Sequence, residues 1–254
     1  MKNIAIILLF VITPLINAQS DVVNFFKIGG DIFTAPFHFE KDDWTNLSVT
    51  ALSTGAAFLL DKPVKSLFLR NKNSAADFIF EIDKYYYIEG AAAGITATYL
   101  YGAIGKDEQI KNLGLQLAEA SFYASVITLL TKALLGRKRP DTNCGCISYN
   151  PFTIDIKNSA LPSAHSTLAF AFSTVMANYK NDMPWRITWY TLASLVGMAR
   201  IYHNKHWFSD VVLGAAVGYF IGSFVTNHKT NRNETKLPPE VQPANKLISL
   251  KIPF

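Results

Sequence analysis

The stretch ARIYHNKHWFSD, Ala199–Asp210, separates two apolar segments of the chain. It contains one arginine, one lysine, two histidines and a final aspartate. The segments on either side, TLASLVGM and VVLGAAVGYFIGSFV, carry no charged side chain. A concentration of charge between two apolar helices indicates either a polar loop or part of a functional site. The rest of the sequence distinguishes these two interpretations.

The composition indicates an apolar-rich folded protein. Half of the 254 residues are hydrophobic and 17% are charged, which excludes a disordered chain and allows a large core. The formal net charge of +5 is compatible with nucleic acid, an anionic membrane surface or a phosphorylated substrate. Because the densest basic run is only Arg137–Arg139, we expect no nucleic-acid partner, and no motif predicts a protein partner.

The first 18 residues have the form of a secretory signal peptide. Lys2 provides a positive start, Ile4–Ile16 is apolar, and Ala18 ends a small-residue cleavage site. The apolar run is shorter than the roughly 20 residues that a spanning helix needs, although an uncleaved anchor remains the alternative. We therefore expect export to the cell envelope, with the functional site outside the cytoplasm.

Hydrophobic patterning after the signal predicts an all-α fold, a bundle of about six main helices. Asp61 and Pro63 are expected to end the first helix, and Gly136 the third. The loop at 137–162 is rich in Pro, Asn, Gly and Ser, and loops of that length tend to be functional. The six predicted helices span residues 46–60, 88–104, 113–135, 163–179, 185–202 and 207–226.

The sequence leaves the relation to the membrane open. Most of the predicted helices are shorter than the roughly 20 residues of a span, and Glu119 is costly in lipid unless it is paired. If the first three helices all crossed, a cleaved signal would place the 137–162 loop on the cytoplasmic side. The evenly apolar helix at 207–226 favours a membrane protein. Membrane association is expected, while integral and soluble forms both remain possible.

Polar residues gather at three helix junctions, and each group alone has an ordinary explanation. Basic residues at a helix C-terminus favour the macrodipole, Ser163 resembles an N-cap, and an i, i+4 pair can lie on a surface. The three groups are Lys132 with Arg137, Lys138, Arg139 and Pro140; then PSAH, Pro162–His165; then Arg200, His206 and Asp210.

Taken together, the three groups predict a phosphoryl-transfer site. The helix N-terminus at PSAH attracts anions, arginines grip phosphate oxygens in bidentate fashion, and a lysine acts as a point charge. His206 stands four residues before Asp210, which can orient its ring and stabilise the charged form. His165 can serve as a general acid.

In order and spacing, the three groups resemble the signature of the type-2 phosphatidic acid phosphatase and vanadium haloperoxidase superfamily. That signature reads K-x6-RP, then PSGH, then SR-x5-H-x3-D. The resemblance covers residues 113–226 and implies an acid phosphatase- or haloperoxidase-like helical fold. Together with the patterning, it predicts a signal peptide at 1–18, a helical phosphatase domain at 19–226 and a polar tail at 227–254.

The resemblance also implies a role for each residue of the signature. His206 attacks phosphorus and forms a phosphohistidine, Asp210 orients His206, and His165 protonates the leaving oxygen and then activates water. No metal or other cofactor is implied, because cations stabilise the transition state. The phosphate-binding positions that it implies are Lys132, Arg139, Ser163, Ala164 and Arg200.

Two positions depart from the signature. Ala164 stands where the signature has glycine, and Ala199 stands where it has serine. Ala164 still offers a backbone N–H, and neither change removes a residue to which bond making is assigned. A non-catalytic envelope protein that retains the fold is therefore one alternative. Cys144 and Cys146, separated by one residue, are interpreted as features of the loop.

The apolar helices favour a phosphatase acting on lipid-linked phosphate monoesters or diphosphates. Undecaprenyl diphosphate, a phosphatidate-type lipid and lipid A phosphate are the substrate types that the resemblance suggests. The alternatives are a soluble periplasmic enzyme similar to class A nonspecific acid phosphatases and a vanadium-dependent haloperoxidase. The sequence itself does not select among these substrates.

Overall fold

Helices make up most of the chain in the computed structural model, which describes the backbone of residues 19–85 and 88–234 and the side chains of residues 21–85 and 88–228. The predicted all-α fold is confirmed. Short 3₁₀ turns lie at Ala35–His38, Pro140–Thr142 and Ile156–Asn158. The α-helices are α1 Gln19–Thr34, α2 Lys41–Arg70, α3 Ser74–Phe80, α4 Ile82–Tyr85, α5 Ile88–Gly105, α6 Glu108–Leu135, α7 Ala164–Tyr179, α8 Met183–Tyr202 and α9 Phe208–Glu234.

The prediction that Asp61 and Pro63 end the first helix is wrong. Helix α2 continues through both residues to Arg70. Asp61 is completely buried and ion-paired, so it is a partner in the interior rather than a polar terminator. Pro63 lacks an N–H, and the helix continues past it without that one hydrogen bond.

Other helix limits also differ from the sequence interpretation. Helix α1 precedes residue 46, where the first of the six predicted helices begins. Helix α6 begins at Glu108 because the Asp107 side chain accepts hydrogen bonds from the N–H groups of Gln109 and Ile110, both at 3.0 Å. Helix α9 continues to Glu234, past the expected end at residue 226. The predicted signal peptide and residues 235–254 lie outside the described residues.

The stop at Gly136 is confirmed in detail. Its φ of 61° is left-handed, and its N–H donates to the Lys132 carbonyl at 2.9 Å. Such a left-handed C-terminal residue satisfies a free carbonyl and turns the chain out of the helix. A side chain here would strain the backbone and meet the Asn150 carbonyl. The loop after α6 therefore leaves in a fixed direction.

Helix α9 is central to the bundle and packs most extensively against α7, with further contacts to α2, α6 and α8. Three glycines at four-residue intervals face α7. A Cβ at Gly214 would lie 2.6 Å from the Ser163 carbonyl oxygen, and one at Gly218 would lie 2.3 Å from the Thr167 carbonyl oxygen. Gly222 continues the same face. Small residues at this spacing allow two helix backbones to approach closely.

We expect Gly218→Ala to destabilise the protein by about 1–3 kcal/mol, because the added methyl group meets rigid backbone of α7. Gly55→Ala on α2 is the matched control, since a Cβ there meets no atom within 4 Å. Alanine has the higher helix propensity, so the control is expected to gain up to about 1 kcal/mol. Denaturant unfolding in detergent measures both changes, and equal effects would contradict the close α7–α9 contact.

The apolar core and the polar residues occupy different parts of the bundle. The main core combines α1, α5, the first half of α6 and the second half of α7, with Leu117, Val175 and Val225 completely buried. The polar residues of the signature lie toward the opposite ends of α6, α7 and α9. The apolar packing therefore fixes these helices and leaves one end of the bundle for chemistry.

Within the described residues, two segments are long and apolar enough to cross a membrane: helix α6 and the part of α9 from Phe208 to His228. A core helix passes the same test of length and composition. Large apolar side chains are nevertheless exposed elsewhere, with Leu59 82%, Ile104 80% and Leu52 75% accessible. Exposed apolar surface on this scale is typical of a protein that contacts lipid or a partner.

Candidate functional site

The three groups of polar residues meet at one end of the bundle. Lys132 lies in the last turn of α6, and Arg200 lies in the last turn of α8. His165 lies at the start of α7, and Asp210 lies in the first turn of α9. His206 occupies the short turn between α8 and α9. Two helix C-termini and two N-termini thus bring together residues that are far apart in sequence.

His206 is held by a backbone carbonyl. Its Nδ1 lies 2.8 Å from the carbonyl oxygen of Ala160, and the residue is only 3% exposed. A carbonyl oxygen can only accept a hydrogen bond, so Nδ1 carries the proton. The lone pair of the neutral ring is therefore on Nε2. This tautomer leaves one ring nitrogen ready to act as a nucleophile.

Asp210 lies next to His206 but is held mainly by other groups. Its Oδ2 is 3.5 Å from Nδ1 of His206 and accepts a hydrogen bond from the Trp207 N–H at 2.7 Å. Its Oδ1 accepts from Arg137 at 2.5 Å. Ala160 makes the closer contact to the ring, and the orienting role of Asp210 remains a prediction.

Lys132 and Arg139 are brought together by Ser159 in the long loop. The ammonium group of Lys132 donates to the Ser159 carbonyl, and Nη2 of Arg139 donates to the Ser159 hydroxyl at 3.1 Å. The N–H of Arg139 donates to the Lys157 carbonyl at 3.0 Å. The loop predicted to be functional thus places two cations beside each other.

Arg200 is fixed by a carboxylate that no motif indicated. Its Nη1 donates to Oδ2 of Asp83 in α4 at 2.5 Å, and Asp83 is 3% exposed. The Nε–H of Arg200 has no acceptor in the described part of the chain and is available to a ligand oxygen. His203 lies in the same region, but its Nε2 is 3.1 Å from the Phe80 carbonyl.

The N-terminus of α7 is tied directly to α9. The N–H of Ser163 donates to the Asp210 carbonyl at 2.9 Å, and the Ser163 hydroxyl caps α7 by accepting from the Ser166 N–H. Ala164 is the first residue of α7 and does not have a positive φ. An alanine is therefore accommodated where the signature has glycine, and the phosphate-binding roles of Ser163 and Ala164 remain predictions.

Burial and the gathered cations keep both histidines neutral. The pKa of His165 is lowered to about 2, first by burial and then by Arg200, His206, Arg139 and Lys132. The pKa of His206 is lowered well below its usual value by burial, followed by Lys132, Arg139 and Arg200. The same three cations act on both rings, so the five side chains form one electrostatic unit.

Arg137 is the functional-site residue that sequence reasoning undervalued. It is completely buried and joins Asp61 of α2 at 2.6 Å to Asp210 of α9 at 2.5 Å. It also donates to the Ser209 hydroxyl at 2.7 Å and to the Cys146 carbonyl. An aspartate inside the apolar run AFLLDKP was the available signal, since a charge there needs a buried partner.

The sequence profile of the PAP2 superfamily matches residues 113–234. Lipid A 1-phosphatase of Porphyromonas gingivalis is 38% identical over 93 residues, which are 36% of this chain and 18% of that protein. Lipid A 1-phosphatase of Rhizobium etli is 31% identical over 108 residues, 42% of this chain and 46% of that protein. The chain thus spans less than half the length of these curated relatives.

Two crystal structures share the fold. Aquifex aeolicus LpxE matches with a TM-score of 0.50 and 19% identity, over 66% of this chain and 95% of that chain. The transmembrane PAP2-type phosphatidylglycerolphosphate phosphatase of Bacillus subtilis matches with a TM-score of 0.51 and 16% identity, over 87% and 97%. The two structures show the shared fold, and the profile match assigns residues 113–234 of the chain to the PAP2 superfamily.

Proposed function

We propose that the protein is a phosphatase that removes phosphate from a lipid-linked monoester or diphosphate through a phosphohistidine at His206. The observation that carries this proposal is the convergence of two neutral histidines with Lys132, Arg139 and Arg200 at one end of the bundle. A cluster of cations attracts the phosphate, and a neutral imidazole supplies a nucleophile.

The first step transfers the phosphoryl group to the enzyme. Nε2 of His206 forms the bond to phosphorus while the bond to the leaving oxygen breaks. His165, which takes up a proton when the phosphate dianion binds, gives that proton to the leaving oxygen. The ring of His206 becomes positively charged, and the carboxylate of Asp210, 3.5 Å from Nδ1, stabilises that charge. The Ala160 carbonyl keeps the Nδ1 proton in place throughout.

The second step returns the enzyme to its starting state. His165, now neutral, removes a proton from water, the water oxygen attacks phosphorus, and the bond from phosphorus to Nε2 breaks. Lys132, Arg139 and Arg200 hold the equatorial oxygens in both steps, where transition-state charge is spread. A phosphate dianion among these cations offsets their charge, which raises the pKa of His165 and lets it carry the proton that it donates.

The lipid character of the substrate rests on the surface of the protein and on its relatives. Exposed apolar side chains on α2 and α5, with two helices long enough to span, favour association with a membrane. The matched curated relatives are named lipid A 1-phosphatases, and they do not favour the soluble acid phosphatase or haloperoxidase interpretations. With the predicted signal peptide, we infer an active site outside the cytoplasm.

A phosphate-release screen tests the proposal. We expect lipid A-type, phosphatidate-type and undecaprenyl diphosphate substrates in detergent to be hydrolysed faster than small phosphate esters, with activity retained in EDTA. Fractionation of the expressing cells gives the second readout, and recovery of the protein in membranes is expected. Release by osmotic shock, together with a preference for small esters, would contradict the lipid assignment.

The pH profile of kcat/KM tests whether the cations of the site lower the pKa of His206. Since Arg139 lowers the pKa of His206, Arg139→Gln is expected to raise it. The acid limb of kcat/KM then moves to higher pH, because His206 must be unprotonated to attack. The second ionisation of the substrate phosphate, near pH 6, contributes equally to the profiles of the wild type and of Arg139→Gln. Lys205→Gln, which removes a cation paired with Asp141 at 2.9 Å, is the control and should leave the limb in place. An unshifted limb in Arg139→Gln would contradict the assignment.

A further inference from the structure

A basic groove lies beside the site, between the C-terminal half of α2 and the loop after α6. It is open to the surface, and three of its side chains are cations from α2. Within the described residues, no carboxylate lines it. The residues that define the basic groove are Lys62, Lys65, Arg70, Asn143, Cys146 and Trp207.

The cations of the basic groove are available to a ligand. Lys62 and Arg70 are exposed, and neither forms an ion pair within the described part of the chain. Lys65 donates one hydrogen bond to the Pro140 carbonyl at 2.8 Å and keeps two further N–H donors. The carboxylate that acts on Lys65, Asp141, is already paired with Lys205 at 2.9 Å. The macrodipole of α2 explains a cation at Arg70, which lies in the last turn. Its effect does not reach Lys62 and Lys65, so these two cations need another explanation.

The basic groove shares a wall with the candidate active site. Trp207 directly follows His206, and it packs with Cys146 and Ala160 in one small buried cluster. Ala160 is the residue whose carbonyl holds the His206 ring. On the other side, Lys65 bonds the carbonyl of Pro140, the neighbour of Arg139. Trp207 and the Pro140 carbonyl therefore connect the groove to the residues next to the phosphate-binding positions.

The basic groove also adjoins apolar surface. Leu59, Leu60 and Leu67 on the same helix are 82%, 47% and 60% exposed. A helix that presents exposed leucines next to cations has the pattern found where acyl chains meet phosphate head groups. An anion held here would be part of a lipid head group.

We propose that the basic groove binds a second phosphate group, next to the one that is hydrolysed. This inference rests on the proposed phosphatase function, and it names the substrate class as a head group with more than one anionic phosphate in reach. The second phosphate belongs either to the substrate itself or to a neighbouring anionic lipid. Both sources present the same chemistry to Lys62 and Arg70.

The first arm of the test uses a lipid with two head-group phosphates and the same lipid with one, in neutral detergent. Lys62→Gln/Arg70→Gln is expected to raise KM about tenfold for the two-phosphate lipid, the equivalent of one charge-assisted contact. KM for the one-phosphate lipid should change less than about twofold. Lys41→Gln is the control, because Lys41 is exposed at the far end of the same helix.

The second arm uses the one-phosphate lipid in phosphatidylcholine vesicles with and without phosphatidylglycerol. If a neighbouring lipid supplies the phosphate, phosphatidylglycerol lowers KM in the wild type and in Lys41→Gln, and the double variant loses that response. Either selective loss supports the proposal and identifies the source. The proposal would be overturned if the double variant changed KM equally for both lipids, or not at all, and also kept the response to phosphatidylglycerol. Absence of turnover in the wild type would instead count against the proposed function.

Discussion

Replacing His206 by alanine is expected to lower kcat/KM by ~10⁴-fold or more, the scale seen when a covalent nucleophile is removed. The His206 ring combines a protonated Nδ1 held by the Ala160 carbonyl with the three cations of the site. Phosphate release from a lipid phosphate under kcat/KM conditions measures the loss. Circular dichroism checks that the variant remains helical.

His203→Ala is the matched control for this experiment. His203 lies three residues earlier, and its ring contacts the Phe80 carbonyl and lies 3.6 Å from Asp83. Since it belongs to the support of Arg200 rather than to the nucleophile, we expect a loss below about tenfold. Comparable losses in His203→Ala and His206→Ala would contradict the assignment of the nucleophile.

Arg137→Met and Arg139→Met are expected to have opposite consequences although the residues are two positions apart. Arg137→Met removes the cation that pairs with two buried carboxylates, Asp61 and Asp210. It should cost about 3–5 kcal/mol of unfolding free energy. Arg139 is only partly buried and bonds Ser159. Its replacement should leave stability within about 1 kcal/mol and reduce kcat/KM, because a phosphate ligand is lost.

Denaturant unfolding in detergent, with phosphate release measured in parallel, separates the two effects. Adding Asp61→Leu to Arg137→Met is expected to recover part of the lost stability, because one carboxylate left without its cation is then replaced by an apolar side chain. If Arg137→Met is as stable as the wild type, Arg137 does not hold α2, α9 and the loop together. If Arg139→Met retains full activity, Arg139 is not a phosphate ligand.

Much of the candidate site could be predicted from the sequence, because its residues stand at helix ends that have local signals. Gly136 ends α6 as expected and thereby fixes where Lys132 lies. Ser163 caps α7, which places His165 in the first turn. Short-range spacing and capping chemistry were sufficient to find these positions, and the resemblance to the superfamily signature supplied their roles.

The supporting residues could not be predicted, because they are joined to the site only by long-range packing. Asp83 and Ala160 reach Arg200 and His206 from separate elements, across 117 and 46 residues of sequence. Asp61 was interpreted as a helix terminator because its partner, Arg137, lies 76 residues away. A local sequence pattern does not distinguish a buried charged residue from one that ends a helix unless the partner of the buried charge is known.

The central claim is that phosphate passes through His206, and trapping the intermediate tests it most directly. Lipid substrate labelled with ³²P in the cleaved phosphate is mixed with the enzyme and quenched in alkali within milliseconds, and the labelled peptide is sequenced. We predict an acid-labile phosphohistidine at His206 that is present in His203→Ala and absent in His206→Ala. Label on another residue, or turnover with no labelled protein at any time point, would contradict the account.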